Sequence, residues 1–312
     1  MAKLTSSRRV DVNGIVLVDK AAGLTSTEVV KQVVKLYRAK KAGHTGTLDP
    51  FATGLLPVCL GEGTKVSPFL LASDKRYIAT LKLGIETDTG DCDGEIIERL
   101  SVPMLTAEKI EAVFALFRGK IHQVPPMYSS LKHEGKSLHV YARQGIEIER
   151  APRDVEIMEL TLLDYTADTI RFDVHCSKGT YIRVLGEDIA KALGTVGHLV
   201  ALRRTQTGVF HSEMMRPIEE IAIYRNGNLL PIDIALIEHE AVYLTVEQKN
   251  HLWAGGFLFD LKPQNPEKDC FVRLYNENNL FFAIGEWRVD KQRLKIKRGF
   301  NVDSTLDSHA QK

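Results

Sequence analysis

"GHTGTLDPFATGLLPVCLGEGTK", residues 43 to 65, opens on a polar half that sets His44 and Asp49 among glycine and threonine and then fixes Pro50. Neither a regular helix nor a regular strand suits that half, because glycine weakens both and proline removes a backbone donor. Asp49 precedes the proline, which restricts it to extended backbone. Such a loop is either a structural corner, with the aspartate capping a turn, or the support for one carboxylate that acts as nucleophile or base. The second reading requires a cation and a shaped pocket supplied from elsewhere in the chain.

Working outward, "GIVLVDK" (14–20) predicts a short buried strand ending in charge. A helix should follow, with Thr25 and Glu28 at capping-box spacing and Val29, Val30, Val33, Val34 and Tyr37 on one face. After the opening loop an apolar stretch runs through Leu70 and Leu71, and "KRYIATLKLG" alternates as a strand that places Tyr77 near its start. "TAEKIEAVFALFRG" reads as a second amphipathic helix stopped by Gly119. Residues 124–152 are basic, dotted with aromatics and poor in periodicity, as in a surface excursion. "DVEIMELTLLDY" and "TIRFDVHCS" predict a hairpin, and "KGTYIRVLGEDIAKALG" passes from a glycine turn into a helix closed by Gly194. Helical signals fade after about residue 240, which predicts a small all-β unit over 241–312. Strands and helices without a strict βαβ rhythm indicate an α+β fold for residues 1–240.

The 312 residues are 44% hydrophobic and 26% charged, ordinary for a globular protein. Cys59, Cys92, Cys176 and Cys270 are scattered without a C-x-x-C pair, which argues against a zinc site or disulfide framework and predicts a reducing cytoplasm. "MAKLTSSRRV" has no apolar run behind it, so no secretory signal is expected, and no run approaches the roughly 18 apolar residues of a membrane span. The net charge is only +1, but five cations and no anion lie between Lys31 and Lys41, and five more between Lys291 and Arg298. Charge runs are usually solvated faces; separate basic runs in a near-neutral chain point toward a phosphate-bearing partner.

Three tempting signatures fail. "GEGTK" (61–65) places Thr64 before Lys65, the wrong order for a phosphate loop. "TGDCDG" (89–94) has Thr89 and Leu100 where a calcium loop needs its first aspartate and its last glutamate. "DTG" (88–90) lacks the second copy that aspartic-protease chemistry needs. More promising are Tyr77, Tyr181 and Arg183. Alone, a tyrosine is more often core and an arginine more often surface. Together, aromatics and a guanidinium around one carboxylate form a site for a flat ring held by stacking.

Taken with "GIVLVDKAAGLTS", "DKRYIATLKLGIETDTGDCDG", "FRGKIHQVPPMYSSLKHEGKSLHVYARQG", "HCSKGTYIRVLGEDIAKALG" and "GHLVALRRTQTG", the opening stretch resembles the bacterial stand-alone tRNA pseudouridine synthase B (TruB) family across nearly all of residues 1–240. One departure is Ala21, where the family has proline after the lysine. The resemblance implies an isomerase that converts uridine 55 in the T-loop of tRNA to pseudouridine, needing no cofactor, metal or guide RNA. It implies a central mixed sheet flanked by helices and a C-terminal PUA-like RNA-binding β-barrel. Asp49 aligns with the catalytic aspartate, Arg183 with its cationic partner, and Tyr77 with the tyrosine packed on the uracil. Tyr181 and Leu202 align with the walls of the base pocket, Lys20 with a nearby cation, and His44 with the residue that fills the space of a flipped base. Residues 124–152 correspond to a mobile RNA-binding thumb. An RNA-folding protein in which catalysis is incidental, and the guide-RNA-dependent relatives, are the alternatives.

Overall fold

A computed structural model describes residues 9–301. Its centre is a mixed sheet in the order Gly14–Lys20, Thr53–Leu60, Gly197–Thr207, Lys75–Leu83, Thr169–Cys176, Arg153–Tyr165 and Gly119–Gln123. Ala42–His44 joins beside Thr53–Leu60, and Phe210–His211 beside Gly197–Thr207. All pairings on this path are antiparallel except that of Gly197–Thr207 with Thr53–Leu60, which run parallel through Arg203–Thr53 and Arg204–Gly54. This is the α+β fold that the residue pattern indicates, with the central mixed sheet that the resemblance implies.

Strands Gly14–Lys20 and Thr53–Leu60 are buried on both faces, which explains why "GIVLVDK" reads as a continuous apolar run and not an alternating one. On one face Val16 and Val18 belong to an apolar layer that also takes in helices Ser26–Tyr37 (through Val29 and Val33), Ala107–Phe117 (through Ile110 and Phe114) and Ile182–Ala192 (through Leu185 and Ile189). Ile15 and Leu17 turn to the other face, where they join Leu55, Cys59, Leu70 and Phe210. The first helix carries the expected capping box, Thr25 with Glu28, and the expected hairpin forms from Arg153–Tyr165 and Thr169–Cys176.

Beyond residue 240 the structure corrects two expectations. "TVEQKNHLW" is not strand: Val246–Trp253 is a helix opened by a capping box between Thr245 and Gln248. Leu252 is its buried residue, so no 3.6-residue apolar stripe marked it. Nor does the C-terminal unit close into a barrel among the described residues. Its strands Glu240–Tyr243, Cys270–Tyr275, Phe281–Arg288 and Arg293–Gly299 form an open sheet in chain order, the first pair parallel. Leu258 covers part of the last edge by bridging to Leu294. The sheet has a core of its own around Trp287, Leu274 and Phe282. Tyr275, Phe281 and Phe300 join the second apolar layer of the large sheet.

Candidate active site

The loop of residues 44–52 is pinned at each point where it would otherwise sag. Buried Ser26, in the first turn of its helix, accepts from Leu48 N at 2.9 Å and donates to Leu48 O at 3.0 Å. Pro50 O accepts from Gly23 N at 2.8 Å and from Lys20 Nζ at 3.1 Å. Asp49 O closes a turn by accepting from Ala52 N. The turn is closed by main chain, and the Asp49 carboxylate is directed at Arg183 instead of capping it.

Asp49 points at Arg183, whose Nε lies 3.0 Å from its Oδ2. Arg183 sits in the first turn of helix Ile182–Ala192, 4% exposed, and four groups share its guanidinium. Nη1 donates to Thr89 O at 2.6 Å and pairs with Asp91 at 3.2 Å, while Nη2 donates to Tyr128 O at 2.6 Å. The stretch that fails as a calcium loop is thus a holder for the arginine. Asp91 accepts from Thr89 Oγ1 and Asp93 N with its other oxygen, so its carboxylate is used on both sides. Among the described residues no group of acidic, histidine or cysteine side chains could hold a metal ion.

A cavity of about 420 Å³ opens beside this pair. His44, Asp49, Tyr77, Tyr181, Arg183 and Leu202 all line it, so the structure brings together six of the seven residues singled out from sequence. Tyr77 stands on the second inward position of strand Lys75–Leu83, and Tyr181 is the N-cap of the helix that carries Arg183. Gln123 fixes Tyr181 by accepting from its N–H and donating to its carbonyl. The seventh residue, Lys20, does not line the cavity. It is buried behind the loop, bonded to the carbonyls of Ala21 and Pro50, and acts on Asp49 only through its charge.

Burial dominates the electrostatics. It pushes the Asp49 carboxyl above its ordinary value; Arg183 and Lys20 pull it back and Asp91 pushes it further. Burial lowers Lys20 to about 8 against the pull of Asp49. His44 is lowered by burial and then by Arg204, which favours the neutral imidazole. The hydroxyls of Tyr77 and Tyr181 are raised, again by burial.

Sequence reasoning missed Arg204, which also lines the cavity. The available signal was "LRRTQT" on a strand: side chains alternate, so one of two adjacent arginines must turn inward. Arg203 pairs with Asp19 as a two-pronged salt bridge, and Arg204 is the inward one. The excursion 124–152 reaches the site as well. Ser129 and Ser130 line the cavity, and the Tyr128 hydroxyl donates to Asp88 at 3.1 Å.

The chain is similar to known proteins over nearly all of its length. Residues 34–182 match the TruB family pseudouridylate synthase (N terminal domain), and residues 183–236 match the tRNA pseudouridylate synthase B C-terminal domain. A tRNA pseudouridine synthase B of Hydrogenovibrio crunogenus is 52% identical, covering 96% of this chain and 97% of that one. One from Francisella philomiragia is 45% identical, covering 95% and 97%. Among solved structures, a Cbf5-Nop10-Gar1 complex superposes with a TM-score of 0.68 at 24% identity, covering 92% of this chain and 84% of that one. An H/ACA RNP bound to a substrate RNA containing 2'-deoxyuridine gives 0.65 at 22%, with the same coverage. The two structures bear on the fold alone. With family matches running through residues 34–236 and relatives similar over nearly the whole length, the chain belongs to the TruB family of pseudouridylate synthases.

Proposed function

We propose that this chain isomerises uridine to pseudouridine in the T-loop of tRNA, at position 55, with Asp49 as the nucleophile. One observation carries the reading: a carboxylate held 3.0 Å from a buried guanidinium, at the wall of a cavity that also has tyrosine and leucine walls. That space suits a flat, uncharged ring.

In this reading the target uridine leaves its stack at a cost of a few kcal/mol. His44, neutral and half-buried, occupies the gap, and stacking on its ring returns roughly 1–3 kcal/mol. Tyr77, Tyr181 and Leu202 enclose the uracil. Asp49, kept available as an anion by Arg183 and Lys20, traps an electron-poor carbon of the nucleoside and is later released. The bond from C1′ to N1 breaks, the uracil turns, and C5 joins C1′. The proton lost from C5 is matched by one gained at N1, so the product is an isomer, and Tyr77 is placed to help move the C5 proton. The excursion 124–152, with seven cations and four anions between Arg118 and Asp154, closes over the T-arm phosphates. The C-terminal unit, taken as residues 241–312, supports the RNA further out.

The test is incubation of the purified protein with unmodified tRNA, without guide RNA or any additive, followed by mapping of pseudouridine. Modification confined to the T-loop uridine is the expected result. Modification elsewhere, or only with an added guide RNA, would remove the proposal. An Asp49→Asn protein that still binds a T-arm hairpin but does not convert it would separate catalysis from RNA folding.

A further inference from the structure

One buried cation at the cavity has no carboxylate beside it. Arg204 is 1% exposed, yet no carboxylate lies within ion-pair distance of it among the described residues. Its donors go to neutral oxygens. Nε donates to Leu55 O at 2.7 Å and Nη2 to Gly46 O at 3.1 Å. What the side chain touches is the catalytic loop on one side and Tyr77 on the other, since Arg204 and Tyr77 are opposite partners in the antiparallel ladder and their side chains share a face.

Two glycines lie against residue 204, one beside its side chain and one beside its backbone. A Cβ on Gly46 would stand 3.4 Å from Arg204 Nη1. One on Gly54, whose φ is +98°, would meet Arg204 O at 2.3 Å, so the parallel pairing of these strands requires glycine there. The close approach of the two strands is therefore set by backbone, and the guanidinium fills the space between loop and strand.

Resting on the pseudouridine-synthase reading, we infer that Arg204 is a positioning residue: its guanidinium ties the loop of His44 and Asp49, through Gly46 O, to the ring of Tyr77, and so fixes the two walls between which the uracil is turned. It acts through the groups that it holds. Its charge has a further effect, since it opposes protonation of both His44 and Lys20.

The test compares Arg204→Met and Arg204→Lys with Arg203→Met, an equal loss of charge on the opposite face of the same strand. Turnover of a T-arm hairpin is measured together with melting temperature. Expected is a fall of about a hundredfold in kcat for Arg204→Met, the scale of a misplaced reacting group, with KM changed less than about threefold. Arg204→Lys, which keeps the charge but loses the fork, should fall about tenfold. A double-mutant cycle with Tyr77→Phe separates positioning from general damage: the loss in each combined variant should fall short of the product of the two single losses by about threefold or more. Additive losses, a rise in KM with kcat intact, or variants indistinguishable from Arg203→Met would overturn the inference. Should Arg204→Met fail to fold, the cycle with Arg204→Lys reads the same coupling. A wild-type protein inactive on tRNA would instead defeat the function proposed above.

Discussion

Asp49 works against its surroundings. Burial holds its carboxyl above the ordinary value near 3.8, so the charged form costs more in the folded than in the unfolded chain. The sign follows: the folded protein binds the extra proton, and stability is lost as pH rises from 3.8 through the folded value. Asp49→Asn should therefore melt at a higher temperature than the parent at pH 7, with the gain vanishing as the pH approaches 4. Its turnover should fall by about four orders of magnitude or more, as when a covalent nucleophile is removed. Thermal melts across pH beside single-turnover assays check both halves, and a melting temperature unchanged at pH 7 would contradict the first. Arg183 carries the opposite expectation. Truncation to methionine leaves Asp49 and buried Asp91 without their shared cation, and breaking such a pair costs roughly 3–5 kcal/mol. Denaturant unfolding of Arg183→Met measures it.

At the scale of elements, legibility followed exposure to periodicity. The first helix, the hairpin and the strand of Tyr77 were readable because an apolar pattern and a cap or turn marked each one. The strand Gly197–Thr207 was not read, although it lies at the middle of the sheet. Its interior position 204 holds arginine, and register shifts after Leu199 and after Arg204 break the alternation. For the same reason the site was only partly legible. Asp49 and His44 announced themselves by their loop, whereas Arg204 and the Thr89–Asp91 holder depend on pairings between segments far apart in sequence. Such a pairing gives an element-scale prediction: Gly54→Ala should destabilise the fold by about 2 kcal/mol or more, because it combines a positive φ with a backbone clash. A shift in the urea midpoint of less than half that amount would show that the two strands can separate at this point. In the excursion, Tyr128→Phe removes only the bond to Asp88. It should raise KM for a T-arm hairpin a few-fold and leave kcat nearly intact, consistent with the net worth of a single half-exposed hydrogen bond.

For the whole molecule, a net charge of +1 conceals basic runs at 31–41 and 291–298. Binding of full-length tRNA should weaken about tenfold for every two phosphates neutralised when salt rises from 50 to 200 mM. A flat salt dependence in a filter-binding or fluorescence titration would show that these runs are merely solvated. The apolar layer shared by the two sheets has a consequence for how the chain comes apart. Ile15, Leu17 and Phe210 have Tyr275, Phe281 and Phe300 as lining, so a chain cut after residue 239 would present a greasy wall to water. Calorimetry of the intact protein should then show one endotherm, both sheets melting together, and the truncated chain should precipitate even though every side chain that lines the candidate site remains in it.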